Sequence, residues 1–90
     1  MLTVTDNAAK MILALAAEAD LPEGAGLRIA DAPDRPGLQM ALVDRPAPED
    51  EVLLEQRAVV FLDPPAMDRL AEATLDARSD ERGSAFFLDD

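Results

Sequence analysis

Apolar residues recur three and four apart over residues 5–20, where Ala8, Met11, Ile12, Leu15 and Ala19 share one face and Thr5 or Asp6 can cap the start. This spacing predicts an amphipathic helix. Leu21-Pro22-Glu23-Gly24 ends it, and residues 26–30 follow as a short strand with Leu27 and Ile29 turned to a core. After a loop over 31–36 that holds two prolines and three charges, Leu38, Met40 and Leu42 alternate strictly, which predicts a second strand over 38–43. Residues 44–50 form a connection, since Pro46 and Pro48 lack the N–H a ladder needs. Residues 52–54 and 59–62 read as strands around a turn at Glu55-Gln56-Arg57, the second so uniformly apolar that it belongs deep in a sheet. Asp63 then caps a helix with Pro64 in its first position and Met67, Leu70 and Ala71 on its buried face. A hairpin closes the pattern, with strands over 74–78 and 84–88 around a polar turn from Ser79 to Gly83. The order helix, strands, helix, hairpin predicts an α+β fold and not a doubly wound sheet.

Composition narrows the chemistry more than it defines it. The 90 residues suit one small domain spanning 1–90, and because 17 of the apolar residues are alanine the core is expected to be thin. The chain contains no Cys, His, Trp or Tyr. Thiol chemistry, a Ser-His-Asp triad, and zinc or iron–sulfur sites built on this chain's own Cys or His are thereby excluded. The start of the chain lacks the basic and apolar regions of a signal peptide, and no apolar run approaches the roughly 20 residues of a membrane span, so a cytoplasmic protein is expected. A net charge of −11, with Lys10 the single lysine, argues against nucleic acid or an anionic membrane as partner.

The acids at Asp31/Asp34, Glu49-Asp50-Glu51, Asp80-Glu81 and Asp89-Asp90 read as a solvated surface. No cluster has the alternating acids and central glycine of a calcium loop, and no hydroxyl sits in a nucleophile motif. Asp63 and Asp76 are expected to be structural, one capping a helix and the other ending a short strand. No catalytic, cofactor-binding or metal-ligating residue is therefore predicted, and no cofactor. Phe86 and Phe87 point to opposite faces by strand alternation, so one can enter the core while the other needs cover from a helix or another chain.

Several segments taken in order resemble the HesB/IscA-like family of A-type iron–sulfur cluster carriers. They are the opening Leu2-Thr3-Val4-Thr5-Asp6-Asn7-Ala8-Ala9, the G-L-R strand at Gly26-Leu27-Arg28-Ile29, and the D-x-P-x-P-E-D-x-V connection from Asp44 to Val52. The apolar strand running from Val59 to Asp63 and the Leu75-Asp76 pair complete the match, which covers nearly the whole chain. The resemblance implies small mixed and antiparallel sheets packed with an N-terminal helix and a short second helix. It also implies three cluster-ligating cysteines, one in the loop after the G-L-R strand and two in a C-x-C near the C-terminus. The loop position falls here on Arg35 or Pro36. The sequence stops at Leu88-Asp89-Asp90, before the family's C-x-C tail, and laying Arg82-Gly83-Ser84 over that C-x-C finds no sulfur either.

The expected function is that of a cysteine-less homologue, a non-catalytic binding or accessory protein that does not itself ligate a cluster. Arg35, Pro36, Phe86 and Phe87 are its candidate contact residues, and its partner is a second copy or a cluster-assembly protein. Two other readings stand beside it: an enzyme or divalent-metal protein working through the acidic clusters, and a cofactor-free subunit paired with a cysteine-bearing homologue.

Overall fold

Thr5 starts the first helix of the computed structural model, which describes residues 1–89. Its hydroxyl oxygen accepts from the Ala8 N–H at 3.1 Å, and the helix α1 runs over Asp6–Glu18. Ala8, Ala9 and Ile12 are buried, while Met11 is half-buried against the same core. Ala19, expected on the buried face, is the exposed C-cap instead. The helix stops because Asp20 turns to φ 57°, letting the Asp20 and Leu21 N–H groups close back on the carbonyls of Ala17 and Ala16. This is the usual helix stop built on an aspartate where glycine is commoner.

Seven further elements follow from the alternations and turns, with one addition. A two-residue strand β1, Thr3–Val4, precedes α1, too short to register in any periodicity. After α1 come β2 (Gly26–Asp31), β3 (Leu38–Val43), β4 (Glu51–Glu55) and β5 (Ala58–Leu62). Helix α2 (Pro64–Arg69), β6 (Thr74–Asp80) and β7 (Gly83–Asp89) complete the chain. Asp63 caps α2 as expected, but the helix buries Ala66 and Leu70 and leaves Ala71 exposed. The last hairpin is longer than its alternation suggested, because Ser79 pairs with Ser84 and Asp80 with Gly83, leaving only Glu81-Arg82 in the turn. Gly83 takes a φ of 124° there.

The strands form two sheets, one of four strands in the order β3-β2-β5-β4 and one of three in the order β1-β6-β7. Strand β5 lies inside the first, parallel to β2 and antiparallel to β4, in keeping with its apolar sequence. Helix α1 touches strands of both sheets, and α2 packs on β2 and β5. Leu27 and Ile29 of β2, Val60 and Leu62 of β5 and Leu75 of β6 meet Ala8, Ala9 and Ile12 in one core. Phe61, equally buried, lies outside that cluster and marks the opposite face of the four-stranded sheet. Among the described residues no helix is long and apolar enough to cross a membrane.

The turn between β4 and β5 is built from unfavourable residues. Gln56 and Arg57 adopt φ values of 52° and 75°, the conformation of a tight hairpin turn that favours Asn-Gly. Changing Gln56→Asn together with Arg57→Gly should raise stability by about 1 kcal/mol, read as a higher urea midpoint with an unchanged slope. A lower midpoint would mean that the Arg57 side chain holds something the turn geometry does not reveal.

Candidate functional site

The residues carried by the family pattern turn out to pin the fold to itself. Arg28 leaves β2 on the face opposite Leu27 and Ile29, and its guanidinium grips Asp50 with two bonds, Nε to Oδ2 at 2.7 Å and Nη2 to Oδ1 at 3.0 Å. The Asp50 side chain is 1% exposed and that of Arg28 27%, so this pair is largely withdrawn from water. Asp50 also accepts from the Ala47 N–H at 2.9 Å, folding the Pro-rich connection back over the sheet. The Arg28 bonds, more than the backbone bond, hold the Asp50 carboxyl below the usual carboxylate range, while Asp50 raises the Arg28 guanidinium.

Asp63 and Asp76 play comparable parts. Asp63 accepts from Ala66 N–H to cap α2 and from Asp31 N–H at 3.0 Å, joining the helix start to the end of β2. Asp76, expected at a strand end, lies inside β6, because the strand continues to Asp80. Its Oδ1 accepts from the Thr5 hydroxyl at 2.7 Å and from its neighbour's N–H, that of Ala77, at 2.8 Å. The Thr5 bond is the larger cause of its lowered pKa. Thr5 thus serves the helix with its lone pair and the sheet with its proton.

The positions where the resemblance puts sulfur are differently furnished. The loop between β2 and β3 closes through the Ala32 N–H and Gly37 carbonyl at 2.9 Å, with Arg35 and Pro36 exposed at its tip. Phe86 faces the core and packs against it half-buried. Phe87 lies on the other face, 38% exposed, with the Arg78 guanidinium 5.5 Å above its ring. The alternation expected for these two phenylalanines is therefore present. The two candidate pairs belong to different sheets, Arg35 and Pro36 leading into edge strand β3 and the phenylalanines lying on edge strand β7.

An iron–sulfur cluster, the cargo of the carriers, does not fit these residues. The side chains at and beside those positions offer guanidinium, hydroxyl and carboxylate but neither thiolate nor imidazole, and hard oxygen donors are poor ligands for cluster iron. Nor do the acids gather. Among the described residues no group of three His, Cys, Asp or Glu could hold a metal ion, and in the Glu49-Asp50-Glu51 run the central acid turns inward to Arg28 while its neighbours stay exposed. The Arg28–Asp50 pair escaped the sequence reading. Its signal was Arg28 on the reverse face of an apolar alternation, which requires a buried partner or a covering loop.

Neither a protein-family model nor a curated protein matches the sequence. Solved structures do. IscA in a crystal structure with a 2Fe–2S cluster is 26% identical, superposes with a TM-score of 0.79, and matches over 98% of this chain and 83% of its own. A solution structure of a protein from Aquifex aeolicus is 28% identical with a TM-score of 0.77, over 99% of this chain and 90% of its own. SufA of Escherichia coli, a protein involved in biosynthesis of iron–sulfur clusters, shares the fold with a TM-score of 0.79 at 24% identity, over 97% of this chain and 82% of its own. With the motif residues wired into this same architecture, the chain has the fold of IscA and SufA and resembles the HesB/IscA-like family, while its 90 residues contain no cysteine.

Proposed function

We propose that this chain is a non-catalytic accessory protein of iron–sulfur cluster assembly that keeps the carrier architecture and does not carry a cluster. One observation carries the reading: Thr5, Arg28, Asp50, Asp63 and Asp76, the polar residues shared with the carrier pattern, are all engaged in holding elements together, while the ligand positions hold no sulfur. The likeness therefore supports the scaffold and leaves the scaffold's surface to do the work. In this reading the protein acts in the cytoplasm by docking onto cluster-assembly components, through the Arg35-Pro36 loop and the β7 edge with Phe86 and Phe87.

Anaerobic incubation with ferrous iron, sulfide and a thiol reductant tests the loss of cluster binding. The protein should emerge colourless from desalting, with no iron retained. A visible charge-transfer band that survives desalting, with stoichiometric iron and sulfide, would overturn the reading.

A further inference from the structure

The outer face of the four-stranded sheet is covered at its centre and exposed at its two edge strands, but only β4 exposes large apolar side chains there. One row of side chains crosses all four strands on this face, Ala41 on β3, Arg28 on β2, Phe61 on β5 and Val52 on β4. Arg28 and its loop partner Asp50 cover the middle of the row, and Phe61 is fully buried there. Cover is lost at β4, where Val52 is 52% exposed and Leu54, two residues on along the same face, is 70% exposed. Strand β4 is also a sheet edge with β5 as its only strand neighbour, so alternate backbone N–H and C=O groups point away from the sheet.

The charges on this strand select its occupant. Glu51 and Glu55 bracket Leu53 on the other face of β4. A second copy pairing antiparallel so as to set Val52 against Leu54 would bring each Glu51 against the other chain's Glu55 on one face. Two chains of −11 would thus meet with like charges directly opposed. A foreign strand with apolar residues opposite Val52 and Leu54 and with Lys or Arg opposite Glu51 and Glu55 satisfies the edge, the apolar pair and both acids together. We infer that β4 is a docking edge for an extended segment of another protein, one that alternates apolar residues with flanking basic ones and adds as a fifth strand.

This inference uses a different surface from the β7 edge and holds whether or not the chain binds a cluster. The test uses the intact protein and a short synthetic peptide centred on Lys-Val-Thr-Val-Lys, with a Glu-for-Lys peptide as its counterpart. Amide shifts followed by NMR should move on β4 as the basic peptide is added. The acidic peptide and a Leu54→Lys variant should each weaken binding by at least about tenfold. Leu54 is exposed enough for that variant to fold, which circular dichroism would check, and Phe87→Ser should bind the peptide as wild type does. Equal binding of both peptides, shifts mapping to β7, or absence of binding at millimolar peptide would overturn the inference. So would concentration-dependent β4 shifts without peptide, which would assign the edge to a second copy.

Discussion

Arg28→Ala should cost about 3 kcal/mol of folding stability, a large share of the roughly 5–13 kcal/mol available to a chain of this length. The loss exceeds that of an ordinary surface ion pair because of what is left behind. Asp50 stays in place, 1% exposed, with a carboxylate that has lost both guanidinium bonds and keeps only the Ala47 N–H. The residual exposure of Arg28 sets the estimate at the lower end of values for buried pairs. Arg28→Lys should recover only part of the loss, since an ammonium cannot make the two-pronged contact. Joint replacement Arg28→Met and Asp50→Leu should be milder than Arg28→Ala alone, because no charge is stranded.

Acid titration gives the same pair a second readout. The folded-state Asp50 carboxyl lies below its ordinary value, so its contribution is fully present above about pH 4 and is lost as pH falls through the lowered folded-state value. Urea midpoints of the wild type should therefore fall more steeply below pH 4 than those of Asp50→Asn. Parallel curves would show that the pair does not govern the acid limb. Asp76, lowered chiefly by the Thr5 hydroxyl, acts in the same direction and keeps some slope in the variant.

Gly26→Ala should be comparably severe, about 3 kcal/mol, for a reason of space alone. A Cβ on Gly26 would lie 2.8 Å from the Val59 carbonyl carbon and 2.9 Å from the Val59 Cβ, and closer still to the carbonyl oxygen. These atoms belong to the neighbouring strand β5, so relief requires moving one strand away from the other. Thermal denaturation should show a fall on the order of 15 °C. Gly37→Ala is the contrasting case, with φ at 100° but nothing within 4 Å of the added carbon. It should cost about 1 kcal/mol from backbone strain only. Equal losses in the two variants would remove the close strand approach as the explanation.

Legibility followed the range of the interaction. Leu38, Met40 and Leu42 announced their strand because alternation is written in neighbouring residues, and Asp63-Pro64 announced α2 because capping is local too. Strand β1 has two residues and no period, and it exists because Thr3 and Val4 lie against Thr74 and Leu75. The Arg28–Asp50 contact spans 22 positions across a loop, and no local pattern encodes which acid of Glu49-Asp50-Glu51 turns inward. The same limit applied to the contact surfaces. Opposite facing of Phe86 and Phe87 was readable from alternation, whereas the exposure of Val52 and Leu54 depends on where the 44–50 connection lies and how far its cover extends.

The bond between the Thr5 hydroxyl and Asp76 joins residues 71 positions apart, and the pairing of β1 with β6 depends on the same closure. Closing a flexible loop of that length carries an entropic cost of about 4 kcal/mol beyond a constant, whereas β6 and β7 need only a two-residue turn. During synthesis β1 emerges well before β6 and has no partner until residues 74 and 75 have left the ribosome. The three-stranded sheet is thus a late event in folding, and β1 waits for the strand that will hold it while every element between the two is made.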